Sequence, residues 1–346
     1  MVMTGSTTPR LIGLDWGSTG LRAYLIGADG ALHGERSAAG LGASTLAGEA
    51  AFVAALAQVR GPWDAALPVL ACGMVGARHG WREAPYADCP AGAAELAART
   101  VQVPGGPRIV PGLQCEDRAG VPDVMRGEET QILGALQRHP ELADAACLIL
   151  PGTHSKWAGV ECGRVTSFAT HMTGELYALL RHRSVLARLM PADDAGGVAG
   201  AGGAATAVGA IAAAPTAGTS AAAPAVAGPI AAASGPGAFE AGVDAARDAG
   251  AAGLAHQLFA VRTLGLSGRR DAAELPDYLS GLLIGHELRA GLERRAAGRL
   301  VVVAEPALGA RYARALARFG VTNPLLLANT APEGLVRLAR SLELLT

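Results

Sequence analysis

Leu11-Ile12-Gly13-Leu14-Asp15-Trp16-Gly17-Ser18-Thr19-Gly20-Leu21-Arg22-Ala23-Tyr24-Leu25 decides how the rest of the chain is read. A short apolar run stops at an acid, and a small polar loop, Asp15 to Gly20, follows. Leu21, Ala23 and Leu25 then alternate with Arg22, Tyr24 and Ile26, and Ala28-Asp29-Gly30 is a hairpin turn signal. A third alternating stretch runs from Ala31 to Ser37. Phe52, Leu56 and Val59 form a helical stripe from about Glu49, and Leu67 to Cys72 reads as a buried strand ending in Gly73-Met74-Val75-Gly76.

The same order returns downstream. Cys147, which lies 136 positions after Leu11 (147 − 11), opens the apolar run Cys147-Leu148-Ile149-Leu150. It ends in Pro151-Gly152-Thr153-His154-Ser155-Lys156. A strand from Trp157 to Glu161, a turn at Cys162-Gly163-Arg164 and a strand from Val165 to Ala169 complete the copy. Strand, Gly/Ser/Thr loop, strand, glycine turn, strand therefore occurs twice, in pattern and not in identity. A repeat this far apart predicts two similar α/β domains and not a solenoid. Helices follow each copy, the second from Glu175 to Leu189. Farther on, a helix begins near Pro276, a strand covers Leu300 to Ala304, and Leu308, Tyr312, Leu316 and Phe319 form a helical stripe. A short strand, Leu325 to Ala328, precedes a C-terminal helix from Pro332 to Leu345.

Composition agrees with two domains. The chain has 346 residues, above the roughly 250–300 at which one hydrophobic core stops growing. The predicted division is 1–142 and 143–346. Between Ala195 and Ala238 lie 44 residues (238 − 195 + 1) without a charge, almost all Ala and Gly. Such a stretch buries too little apolar area to offset backbone ordering of about 1–2 kcal/mol per residue, so 195–238 is expected to be a disordered insertion without chemistry. Basic and acidic residues balance at 29 and 30, which excludes a binder of nucleic acid working by phosphate neutralisation. The five cysteines are scattered, and the eight histidines show no metal-ligand spacing. With no apolar signal core and no long apolar run, a cytoplasmic protein without membrane contact is expected; a homo-oligomer stays open. Of the 29 basic residues one is lysine, Lys156, and the other 28 are arginine.

Both loops suit phosphate. Glycine lets backbone N–H groups approach an anion, and the hydroxyls of Ser18, Thr19, Thr153 and Ser155 add donors. An acid at the strand end, Asp15, is out of place beside an anion unless a divalent cation lies between them, which points to a magnesium nucleotide. Lys156 brings a mobile point charge where arginine would impose a planar fork.

Five segments taken together carry a resemblance: LDWGSTGLRAYL (14 onward for its acid loop), GMVGARHGW with APY after it, VMRGEETQILGAL, LPGTHSKW and HMTGELYALL. In this order they resemble the 2-keto-3-deoxygalactonate kinases, bacterial sugar-acid kinases of the acetate/sugar kinase, heat-shock protein and actin superfamily. The likeness runs over about 10–190 and resumes from Phe259 to the C-terminus, leaving out the Ala/Gly-rich stretch. It implies an α/β fold of two ribonuclease-H-like (actin-like ATPase) domains around an interdomain cleft, with ATP and Mg²⁺. It also implies phosphoryl transfer to the terminal C6 hydroxyl of 2-keto-3-deoxy-D-galactonate, feeding an aldolase in galactonate breakdown. One departure stands out: Glu305-Pro306 follows the strand where such kinases usually turn with glycine against adenosine.

Roles follow from the resemblance and from what phosphoryl transfer needs, namely charge stabilisation, alignment and a proton acceptor. Asp15 anchors the metal, through water. Gly17, Ser18 and Thr19 hold phosphates from one side; Gly152, Thr153, His154, Ser155 and Lys156 close from the other. Glu128 is the expected base and Glu129 the second choice, the alternative being that both only complement the helix dipole. A substrate carboxylate calls for an arginine, with Arg126 and Arg82 ahead of Arg78 and Arg22. Trp81 and Tyr86 shape the sugar pocket or pack beside Pro85; Glu175 binds sugar hydroxyls or caps its helix. Two other readings remain: a kinase for a different sugar or sugar acid on this fold, and a nucleotide- or sugar-sensing protein without transfer.

Overall fold

The computed structural model describes residues 8–192 and 237–345. In the first half the strands are β1 (Pro9–Trp16), β2 (Gly20–Gly27), β3 (Leu32–Ala39), β4 (Val69–Gly73), β5 (Tyr86–Asp88), β6 (Val101–Gln102), β7 (Arg108–Ile109), β8 (Gly112–Glu116) and β9 (Pro122–Met125). The helices among them are α1 (Glu49–Arg60), α2 (Ala93–Ala98) and α3 (Glu128–Arg138). In the second half come β10 (Ala145–Leu150), β11 (Ser155–Glu161), β12 (Arg164–His171), β13 (Arg299–Val303) and β14 (Leu325–Leu327). Their helices are α4 (Thr173–Arg183), α5 (Ala238–Arg247), α6 (Leu254–Leu266), α7 (Leu275–Arg294), α8 (Pro306–Arg318) and α9 (Ala331–Ser341).

The repeat read from the sequence is a repeat of topology. One sheet has the order β3-β2-β1-β4-β7-β6 and the other β12-β11-β10-β13-β14. In each, the first three strands are antiparallel and the next two parallel to the first, the ribonuclease-H-like order. β1 and β10 are central and buried along nearly their whole length, which is why both read as continuous apolar runs instead of alternating ones.

Alternation still sorts the side chains between two cores. Cys147 and Ile149 face α5, α7 and α8, packing with Phe239, Ile284, Leu288, Tyr312 and Leu316. Ala146, Leu148 and Leu150 face the opposite way, into a core that also holds Leu11, Tyr24, Leu70 and Cys72 of the first sheet. Ile132, Leu133 and Leu136 of α3 and Leu335, Leu338 and Ala339 of α9 complete that shared layer. The C-terminal helix thus lies with the first sheet. Its crossing of α3 is close: a Cβ at Gly134 would come 1.7 Å from the Thr330 carbonyl oxygen, and one at Gly334 1.8 Å from that of Thr130.

Several boundaries differ from the sequence reading. The helix expected over 175–189 ends at Arg183 and gives way to a 3₁₀ turn, because the Ser184 hydroxyl accepts the Leu186 N–H at 3.0 Å. The third strand extends to Ala39, in register with Gly20. The expected insertion, 195–238, lies outside the described residues up to position 236; Ala238 already belongs to α5. The sheet β5-β8-β9 was not anticipated, and it ties the halves together through Asp123, which accepts the Thr170 backbone N–H at 2.6 Å and its hydroxyl at 2.7 Å.

Candidate active site

Both hairpin loops open at the same ends of their sheets. In the first, the carbonyls of Gly17, Ser18 and Thr19 are taken by the amides of Ala43, Ser44 and Gly40 at 2.9, 3.2 and 3.1 Å. The loop is thereby pinned from behind, and its front borders a cleft of about 400 Å³ lined by Asp15, Gly17, Thr19, Gly20, Arg22 and Ser37 among others. Asp15 pairs in register with Arg22 on β2 and with Cys72 on β4. Burial raises its carboxyl above the usual range; the nearby Glu128 adds to this and Arg22 opposes it. Arg22 in turn meets Glu305, at the start of α8, at 3.3 Å.

The second loop is braced by side chains. Lys156 is almost buried, its Nζ donating to the His154 carbonyl at 3.0 Å and meeting Glu128 Oε1 at 3.1 Å. His154 Nε2 lies 2.5 Å from Glu175 Oε2, and the Glu175 N–H donates to the Thr153 carbonyl at 3.0 Å. Ser155 turns away from the cleft: its hydroxyl is fully buried and donates to Glu287 Oε1 at 2.7 Å. The expectation of a Ser155 hydroxyl facing phosphate therefore needs correcting, because that hydroxyl points into the domain. Gly152 and Thr153 are partly exposed at the loop tip.

The two acids opening α3 part company. Gly127, at φ +104°, brings the chain into the helix so that Glu128 faces Lys156 while its Oε2 accepts the Arg126 N–H at 3.1 Å. Glu129 points inward, fully buried, accepting the Gly127 N–H at 2.6 Å and the Thr130 hydroxyl at 2.9 Å. Burial, with Glu128 beside it, pushes the Glu129 carboxyl up to about 7. The buried Cys72 thiol is lifted by the same burial and by Asp15 and Glu129. Acids from two elements thus converge on one point, a place that favours either protons or a cation.

Arg126 lies with its guanidinium 4.4 Å over the Tyr86 ring, Nη2 donating to the Ala84 carbonyl at 2.7 Å. Its Nε and Nη1 are buried and have no hydrogen-bond partner among the described residues. A half-buried guanidinium with two unused donors, one on each side of the Nη2 that is already engaged, is suited to an anionic oxygen. Trp81 packs instead, stacked on Phe52 at 5.7 Å and edge-on to Trp16 at 6.0 Å. Arg82 is exposed on the turn that follows. Of the residues picked from the sequence, then, Asp15, Glu128 and Lys156 come together, Arg126 and Tyr86 pair, and Trp81 belongs to the core of the first sheet.

Two residues of the site went unread. Glu287 of α7, in the segment LSGLLIGHEL, sits on the buried face with Leu283 and Leu288; an acid on an apolar stripe was the available signal. Glu305 was noted only as the absence of a glycine.

The comparisons with known proteins bear on this geometry. A family model described as 2-keto-3-deoxy-galactonokinase matches residues 15–338. The 2-dehydro-3-deoxygalactonokinase of Escherichia coli (strain K12) is 31% identical over 332 residues, 95% of this chain and 97% of that protein. A Rhizobium meliloti (strain 1021) protein named as a candidate 2-dehydro-3-deoxygalactonokinase is 42% identical over 186 residues, 52% of this chain; the match spans 59% of that relative. A crystal structure from Sinorhizobium meliloti, described as a candidate for the same enzyme, superposes with a TM-score of 0.73 at 32% identity, covering 95% of this chain and 98% of that one. With the family model over most of its length and a full-length relative above 30% identity, the chain belongs to the 2-keto-3-deoxy-galactonokinase family.

Proposed function

We propose that the protein transfers the γ-phosphoryl group of ATP to the terminal C6 hydroxyl of 2-keto-3-deoxy-D-galactonate. The observation that carries this reading is the contact of Glu128 with Lys156 at 3.1 Å, between the two phosphate-type loops. A carboxylate from the first sheet's side and the chain's lone ammonium from the second are the proton acceptor and the charge carrier that phosphoryl transfer needs. Without ligands each satisfies the other. A γ-phosphate drawing Lys156 away frees a Glu128 oxygen for the hydroxyl proton, so that the base is released as the donor arrives. The hydroxyl oxygen then bonds to phosphorus, the bond to the β–γ bridging oxygen breaks, and ADP leaves.

Mg²⁺ fits the donor set. Asp15 is a hard oxygen donor whose charge is disfavoured by burial, and a neighbouring cation relieves that cost. Asp15 would hold such an ion together with water and phosphate oxygens. When bound, the ion neutralises the charge of the transferring phosphates. Arg126 would meet an oxygen of the substrate carboxylate with one of its unpartnered nitrogens. We assign residues 1–142 and 143–346 to the two lobes, with α9 lent back to the first.

A coupled ADP-release assay over a panel of 2-keto-3-deoxy sugar acids tests the reading. ADP release confined to the galactonate derivative is the expected result. Release with a different acid redirects the substrate assignment, and none with any acid leaves a sensing protein.

A further inference from the structure

Glu287 is a buried carboxylate, 3% exposed, that accepts four hydrogen bonds. Oε1 takes the Ser155 hydroxyl at 2.7 Å and the Trp157 indole N–H at 2.9 Å; Oε2 takes the Thr173 hydroxyl at 2.5 Å and the Tyr312 hydroxyl at 2.8 Å. All four partners are neutral donors, and they come from β11, α4 and α8. Burying a carboxyl group is costly unless its polar atoms are hydrogen-bonded, and here both oxygens are. A hydrophobic side chain of similar volume would fill the space without that demand. What it would not do is fix the direction of four donors at once.

Two of those donors belong to residues that flank the second loop on its buried side. Ser155 stands between His154 and Lys156, so anchoring its hydroxyl sets where the Lys156 ammonium emerges. Thr173 lies in the first turn of α4, one residue before Gly174 and two before Glu175. That turn leans on the loop: a Cβ at Gly174 would come 2.4 Å from the Gly152 carbonyl oxygen and 2.9 Å from Thr153 Cα. The loop 152–156 is held on one side by Ser155 and on the other by the turn that Thr173 anchors. Both anchors end on one carboxylate.

We propose that Glu287 is a positioning residue for nucleotide phosphate: by holding Ser155 and Thr173 it sets the second loop and Lys156 in the orientation that meets the ATP phosphates. This rests on the reading of that loop as phosphate-holding, and it assigns Glu287 no contact with substrate. The carboxylate matters because the Trp157 indole can only donate, whereas hydroxyls can turn. An amide at 287 keeps one oxygen for Trp157 and Ser155 and turns its NH₂ toward Thr173 and Tyr312, loosening the α4 side.

The test compares E287Q, T173V and T173S in the full chain, with steady-state kinetics, calorimetric titration of ADP and thermal unfolding. E287Q and T173V are expected to raise KM for ATP and the Kd of ADP on the order of tenfold, with KM for the sugar acid within about twofold. T173S, which keeps the hydroxyl, is expected to stay near wild type. Should E287Q fail to fold, T173V and S155A, each removing one hydroxyl, carry the same comparison. A lowered melting temperature with unchanged ADP affinity overturns the proposal, as does an equal rise in both KM values. ADP titration keeps this separable from the kinase reading: if no sugar acid supports turnover, the loss of ADP affinity still decides the role of Glu287.

Discussion

At the first hairpin the side chain beside the loop is an acid, Asp15, and the loop is held through its own carbonyls on the amides of Gly40, Ala43 and Ser44. At the second, the chain's single lysine stands at the start of the second strand, and the loop is held by side chains: His154 on Glu175, Ser155 on Glu287, Lys156 on Glu128. One topology has therefore been given opposite charge and different bracing. A backbone-held loop tolerates exchange of its side chains more easily than one whose shape depends on them. The cation is on the side-chain-braced loop, where its position is most tightly determined, and the acid stands beside the backbone-held one.

The largest effect is expected where the two sides meet. Glu128→Gln should lower kcat by about 10²–10⁴-fold, the range for a general base, while ADP affinity stays within a few-fold of wild type. Single-turnover kinetics with titration of ADP measure both, and near-normal turnover would move the base elsewhere. Next comes the nature of the second loop's charge. Lys156→Arg keeps the charge but needs a planar group in a nearly closed space between His154 and Glu128. A fall in kcat on the order of 10²-fold is expected, like that for removing one stabilising donor; a variant with wild-type kinetics would show that charge alone suffices there.

The smallest effect on turnover is expected at Glu129, the acid turned away from both loops, where stability is the quantity that changes. Its folded-state pKa of about 7 lies above the ordinary 4.5, so the native state holds a proton that the unfolded chain has lost between those values. Stability contributed by this group is complete below pH 4.5 and declines as pH rises to about 7. Glu129→Gln removes the decline. The stability of the variant relative to wild type should therefore grow across that window, by about 1.4 kcal/mol per pH unit at most, and level off beyond it. Urea unfolding at pH 5, 6, 7 and 8 measures the slope; a constant difference would mean that another group titrates.

Much of this arrangement was legible in the sequence because it is local. Apolar runs ending in small polar loops gave both hairpins, and the lone lysine gave the charged one. Glu128 and Glu129 are adjacent, and only the burial of one separates them, which no spacing reveals. The sheet β5-β8-β9 escaped because its strands have three to five residues and little alternation. α5 went unread beside the uncharged stretch, and α6, apolar around its circumference, shows no single stripe. Glu287 was hidden for another reason: three of its partners lie 132, 130 and 114 positions away in the chain. Trp81 was read as shaping the sugar pocket or packing, and it packs against Phe52 and Trp16.

The glycine crossing of α3 and α9 has a consequence for how the protein is made. Arg138 and Glu333 meet across it although 195 positions separate them, and α9 also covers β1 through Leu335 against Gly13. During synthesis the first sheet and α3 emerge early, with one apolar face uncovered until residues 331–341 leave the ribosome. Contacts of such long range form late and leave that face open to misassembly meanwhile. The helix that carries Glu128 reaches its final setting only when a segment translated some 195 positions later docks beside it.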